Sequence, residues 1–267
     1  MARGRRRAAA PAPPPRGLVP KSPAEIDAMA ASGAVLAEAH DALAAEVAVG
    51  VTTAHLDEVA EELIRSRGGV PAFKGYPGPT PFPASICTSV NDQVVHGIPG
   101  GYALRDGDVL SLDVGVVLDG WVSDAARTHA VGAVSPIAAR LIEVTRRSLE
   151  RGVAAARAGG HLGDIGYAVQ SEVEAGGFSV VQSLVGHGVG RSMHEEPQVP
   201  NFGRPGAGVE LPEGLVIAIE PMVNAGAHEV VLGDDGWTIA TKDGSLSAHW
   251  EHTVAVTADG PRILTAV

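Results

Sequence analysis

The chain has 267 residues, 45% of them hydrophobic, with one cysteine and a formal net charge of -11. That length can bury a sizeable core, no apolar run of 18 or more residues offers a membrane span, and one cysteine excludes an internal disulfide, which suits a reducing, cytoplasmic compartment. The charge is divided unevenly: residues 1–21 carry six basic residues and no acid, leaving 14 basic against 31 acidic, or -17, in the remainder, a poor surface for DNA or other nucleic acid.

The first 21 residues are Arg-rich, then Ala/Pro-rich, and read as a disordered basic extension without the apolar stretch of a secretory signal. Residues 22–267 are regular in organisation and read as one domain. Ser22-Pro23-Ala24-Glu25 forms a capping box, and Ile26, Met29, Gly33, Leu36, His40 and Leu43 follow at helical spacing. A second helix fits Thr53 to Arg67, ending at Gly68-Gly69.

Val109 to Leu118 alternates as a strand, with Ser111, Asp113 and Gly115 on one face. Asp119-Gly120 is a two-residue hairpin turn, so Leu118 should pair with Trp121 and Gly115 with Asp124. Asp113 and Asp124 then become diagonal neighbours roughly 7–8 Å apart at Cα, able to lean together over the bare patch at Gly115. Two negative charges there call for a cation.

Ser135-Pro136 opens a helix to about Ala158, and a shorter one runs from about Leu162 to Ala175 before a second Gly-Gly pair. The long-helix, short-helix, Gly-Gly order thus occurs twice, its glycine pairs 108 residues apart, as two pseudosymmetric halves would produce. His187 lies among glycines in Val185-Gly186-His187-Gly188-Val189-Gly190, which are expected to give its ring clearance. Leu215 to Glu220 is an apolar strand stopped by Pro221, and Ser247 to Val256 is another, carrying Glu251. Asp113, Asp124, His187, Glu220 and Glu251 are all metal-ligand types, and a buried carboxylate costs several kcal/mol unless a positive charge meets it. Four carboxylates and one imidazole balance two divalent ions better than one.

Other motifs fail. Gly186-x-Gly188-x-Gly190 lacks the downstream Lys-Ser or Lys-Thr of a phosphate loop, and His194-Glu195-Glu196 lacks the second histidine of a zinc-protease helix. There is no Gly-x-Ser-x-Gly elbow, and Cys87 has no visible activating neighbour.

The stretches Ser85 to Pro99, Gly186-His187-Gly188-Val189-Gly190 through His194-Glu195-Glu196-Pro197, Ile219-Glu220-Pro221-Met222 and Glu251-His252-Thr253 resemble, in order and spacing, the motifs of type I methionine aminopeptidases. The resemblance covers residues 22–267. It implies the α/β pita-bread fold, with two pseudosymmetric αβ halves whose helices pack on a curved, mainly antiparallel sheet. It also implies that Asp124 and Glu251 bridge two divalent ions (Co, Mn, Fe or Zn), Asp113 completing one shell and His187 with Glu220 the other. A water activated by the ions would attack, Glu220 would shuttle its proton, and His96 and His194 would bind substrate and stabilise the tetrahedral intermediate. Phe73, Tyr76, Cys87, Met193 and Trp237 would line the pocket for the first side chain, with 78–83 as an insertion beside it. The implied role is cotranslational removal of initiator methionine from nascent chains by a monomer, preferably where the second residue is small; the basic extension reads as a solvated tail, with ribosome contact and an organelle transit peptide as the alternatives. Prolidases and aminopeptidase P share the fold and ligands but usually carry a large amino-terminal domain. A catalytically inactive relative serving as a binding module would typically have lost ligands, and all five positions are filled.

Overall fold

A computed structural model describes residues 17–266. Among these residues, four helices and antiparallel strand ladders form two halves. Helix α1 (Pro23–Glu46) starts at Ser22, whose hydroxyl and backbone N–H both engage Glu25, and its buried face contains Ile26, Met29, Gly33, Leu36, His40 and Leu43. Helix α2 is Thr53–Ser66. Both pack on the four-stranded sheet built around Val109–Leu118 and Trp121–Ala130, where Leu36, Leu43, Leu56 and Ile64 meet Leu110, Leu112 and Val114. Polar pins seat α1: the Ser32 hydroxyl donates to the Val116 carbonyl at 3.1 Å, and His40 Nε2 donates to the Ala125 carbonyl at 2.9 Å.

The second half repeats the pattern. Helix α3 (Pro136–Ala155) ends earlier than its sequence periodicity suggests, because residues 157–160 turn to exchange backbone hydrogen bonds with Leu211. Helix α4 is Leu162–Ala175. Leu149, Val153 and Ile165 cover Ile217, Ile219 and Val254 of a five-stranded sheet, while Leu141, Val144 and Val173 cover Val223 and Ala248 of a three-stranded one.

Two expectations are corrected here. Ser247 to Val256 is not one strand: Ser247–His249 pairs with Met222–Asn224, and His252–Thr257 pairs with Val216–Ile219. The partner chain breaks at the same level, at Glu220-Pro221, because proline has no N–H for the ladder. The broken ladder places Glu220 opposite Trp250-Glu251. The basic extension also ends sooner than Ser22. Residues 1–16 lie outside the described residues, but Lys21 is buried, its N–H bonded to the Gly214 carbonyl at 2.7 Å and its ammonium 2.7 Å from the Glu195 carboxylate.

Threonines join the halves. Thr253 Oγ1 accepts from the Asp124 N–H at 2.9 Å and donates to the Asp124 carbonyl at 2.8 Å, while Thr128 Oγ1 donates to the His249 carbonyl at 2.7 Å. Between these two clamps the Glu251 N–H donates to the Ala126 carbonyl at 2.9 Å. Asp124 and Glu251 are thereby held at the seam by backbone bonds that leave both carboxylates free.

Candidate active site

The hairpin has the expected register, Leu118 opposite Trp121, Gly115 opposite Asp124 and Val114 opposite Ala125. Its turn residues Asp119 and Gly120 both have positive φ, the backbone that suits the right-handed twist of the flanking strands. The bare patch at Gly115 has a different use from the one expected: a Cβ there would lie 2.7 Å from Phe73 and 2.9 Å from Met193, so pocket side chains fill the space. The glycines around His187 do not give its ring clearance either. A Cβ at Gly186 would lie 2.3 Å from the Ala218 carbonyl and one at Gly188 2.2 Å from the Glu196 carbonyl, so these glycines admit neighbouring backbone.

One cavity of about 210 Å³ is lined by Asp113, Asp124, His187, Glu220, Glu251, His96, His194, Phe73, Tyr76, Cys87, Met193 and Trp237 together. Each site residue singled out in the sequence therefore reaches the same space. The apolar side contains Phe82 as well, stacked edge-on against Trp237 with ring centroids 5.1 Å apart. The 78–83 segment is fixed by the Trp237 indole, which donates to the Thr80 carbonyl at 3.1 Å. Sequence reading treated that segment as an insertion and missed Phe82.

At the polar end, His187 Nδ1 donates to the Gly188 carbonyl at 2.9 Å, leaving Nε2 with its lone pair facing Asp124 Oδ2 at 3.7 Å and Glu220 Oε1 at 3.6 Å. His194 Nδ1 shares a hydrogen bond with the Tyr76 hydroxyl at 2.6 Å, and its ring lies 4.3 Å from that of His187. Unforeseen in the sequence is His249, whose Nε2 is 4.0 Å from Glu220 Oε2 and 3.8 Å from Glu251 Oε2. A signal existed: His249 and Glu251 are two residues apart in an extended segment, which puts both on one face.

Asp124, His187 and Glu251 offer ligand atoms all within 4.8 Å of one another, and so do Glu220, His249 and Glu251. Asp113 lines the cavity outside both groups. Asp113 Oδ1, Asp124 Oδ1 and Glu251 Oε1 are buried without any hydrogen-bond partner. Among the described residues, no lysine or arginine lines the cavity. Convergent, orphaned oxygen and imidazole donors with nothing cationic beside them fit divalent ions, which carboxylate and imidazole hold at about 2 Å.

The model of metallopeptidase family M24 matches residues 27–258. The chain belongs to that family. It is 52% identical over 250 residues to a methionine aminopeptidase of Clostridium perfringens, covering 94% of this chain and 99% of the relative. The crystal structure of methionine aminopeptidase from Rickettsia prowazekii matches with a TM-score of 0.91 at 43% identity, over 93% of this chain and 100% of that one. Prolidase from Pyrococcus furiosus matches with a TM-score of 0.74 at 22% identity, over 93% of this chain and 65% of that one, a likeness of fold alone. The pita-bread architecture expected from the sequence is thus the fold of this M24 metallopeptidase.

Without a cation, this M24 site resists ionisation. Burial raises the Asp113 carboxyl to about 7, and burial with repulsion from neighbouring acids raises Asp124, Glu220 and Glu251 well above the carboxylate range. Burial lowers His187 and His249 to about 3 and His96 to about 4, so all three imidazoles are neutral. Loading divalent ions at about pH 6 should therefore release protons from the carboxyls and none from His187, and the release should shrink as pH rises past about 7 and Asp113 ionises beforehand. Calorimetric titration in two buffers of different ionisation enthalpy measures it; a heat independent of buffer at pH 6 contradicts this charge state.

Proposed function

We propose that the protein removes the initiator methionine from nascent polypeptides, preferably where the second residue is small, using a pair of divalent ions in a cytoplasmic monomer. The observation that carries this reading is Glu251, the one residue common to both ligand groups, at the floor of a small, mostly apolar cavity. The ions, Mn, Fe, Co or Zn, would polarise the scissile carbonyl and supply water as a nucleophile at neutral pH. Asp124 and Glu251 would be shared between them, with Asp113 serving one ion and His187 and Glu220 the other.

The remaining work belongs to the chain. Glu220, at its strand end, would take the proton from the attacking water and deliver it to the leaving amine. A Tyr76 hydroxyl donating to His194 Nδ1 places the ring proton on Nε2, which then donates to the developing oxyanion. His96 would donate beside it, from a backbone with a φ of 60°. The unbranched, polarizable methionine side chain suits Phe73, Tyr76, Cys87, Met193 and Trp237, with Phe82 joining them. Among the described residues no helix is long and apolar enough to cross a membrane. Ribosome contact by the basic extension concerns residues that lie mostly outside those described.

Metal-loaded protein assayed on Met-Gly-Ser and Xaa-Pro peptides side by side should cleave only the former. Cleavage of Xaa-Pro alone would overturn the substrate, and inactivity with every divalent ion would favour a binding module. The pocket assignment is tested by Gly115→Ala, whose methyl would intrude on Phe73 and Met193. It should raise KM for methionyl peptides roughly tenfold, about 1.4 kcal/mol of overpacking, at unchanged metal affinity. An unaltered KM would remove Gly115 from the pocket wall.

A further inference from the structure

We infer that His249 is an additional metal ligand, giving the dinuclear site a second imidazole beside His187. This deepens the metal reading above and rests on it. The five-residue ligand set implied by sequence resemblance contains one imidazole, and nothing in it assigns His249.

His249 is 2% exposed, and among the described residues neither ring nitrogen has a hydrogen-bond partner. A neutral imidazole has one N–H and one lone pair, and leaving both unsatisfied in a protein interior is costly. Carboxylate oxygens of Glu220 and Glu251 stand 4.0 and 3.8 Å from Nε2. Those distances exceed hydrogen-bond range, so no hydrogen bond accounts for the arrangement. A cation between three ligand atoms does.

His187 provides the internal comparison. Its Nε2 stands 3.7 Å from Asp124 Oδ2 and 3.6 Å from Glu220 Oε1, the same stand-off from two carboxylates. Glu220 turns one oxygen toward each imidazole, Oε1 to His187 and Oε2 to His249. Glu251 completes both groups. The chain thus presents two overlapping groups of two carboxylates and one imidazole, Glu251 common to both and Glu220 facing both rings, and a second imidazole in the site shifts preference from Mn toward Co and Zn.

Proton NMR of the Co(II)-loaded protein in ordinary water tests this directly, because the N–H of a Co-bound imidazole gives a strongly shifted, solvent-exchangeable resonance. Wild type should show two, and His249→Gln one, with Zn or Co affinity at the altered position at least about tenfold weaker and Mn affinity less affected. A single resonance in wild type overturns the inference, as do two that both persist in His249→Gln. If that variant does not fold, His249→Asn replaces it, and the wild-type count alone still decides against a second imidazole. A wild type that binds Co and cleaves methionyl peptides yet shows one resonance sinks only His249. One that binds no Co, or shows no shifted imidazole, sinks the metal site of the proposed function as well.

Discussion

Glu251→Gln should abolish turnover and, in the same protein, raise the melting temperature of the metal-free form. Glu251 belongs to both ligand groups and is 2% exposed, with Oε1 unpartnered. Replacing its carboxylate by an amide removes a charged ligand from both ions at once. If metal assistance supplies several kcal/mol of transition-state stabilisation, its loss lowers kcat/KM by about 10³-fold or more. The stability effect has the opposite sign. In the metal-free fold, burial and the charges of Asp124, Glu220 and Asp113 hold the Glu251 pKa far above its unfolded value. At neutral pH such a group opposes folding, because ionising it is easier in the unfolded chain. The isosteric amide relieves that cost and can donate to the neighbouring carboxyl oxygens, a gain of about 1–2 kcal/mol. Thermal unfolding with a chelator present reads it. A variant that binds both ions normally, or whose metal-free form melts lower than wild type, would contradict the shared-ligand role.

Lys21→Met should destabilise the fold by about 3 kcal/mol or more, unusually large for a residue at the edge of the domain. The Lys21 ammonium and Glu195 carboxylate are 4% and 3% exposed at 2.7 Å. Deleting the cation strands a buried carboxylate whose other oxygen still accepts from the Arg191 N–H at 2.8 Å, which sets the loss near the lower end of the range. Gly190 makes the approach possible: a Cβ there would sit 2.5 Å from Glu195 Oε1 and 2.7 Å from Lys21 Cε. The double change Lys21→Met with Glu195→Met should recover most of the stability, since an apolar pair avoids desolvating two charges. Urea unfolding of the three proteins measures both values. A Lys21→Met protein within about 0.5 kcal/mol of wild type would show that the pair contributes no more than a surface salt bridge.

The local and repetitive parts of this structure were readable from residues alone. The Asp119-Gly120 turn fixes the register of ten residue pairs, so the positions of Asp113 and Asp124 followed from turn chemistry. The capping box at Ser22 fixed the start of α1 for the same reason. What failed depends on neighbours distant in the chain. Ser247 to Val256 contains neither proline nor glycine to mark an interruption, and its break exists because Pro221 interrupts the strand across from it. Which atoms occupy the space left by Gly115, Gly186 and Gly188 depends on side chains and strands from other segments. Lys21 looked like the last member of a basic tail, and its acidic partner lies 174 residues away. His249 lacked a motif of its own, although its alternation with Glu251 put it on the ligand face.

The central claim is that two divalent ions neutralise the carboxylates at the seam between the halves. Anomalous diffraction from crystals grown with Mn(II), recorded at an energy where manganese scatters anomalously, locates such ions without reference to activity. Two peaks should lie in the cavity, both within coordination distance of Glu251 and Asp124, one of them also touching His187. A cavity free of anomalous density, or ions bound only elsewhere on the protein, would contradict the account.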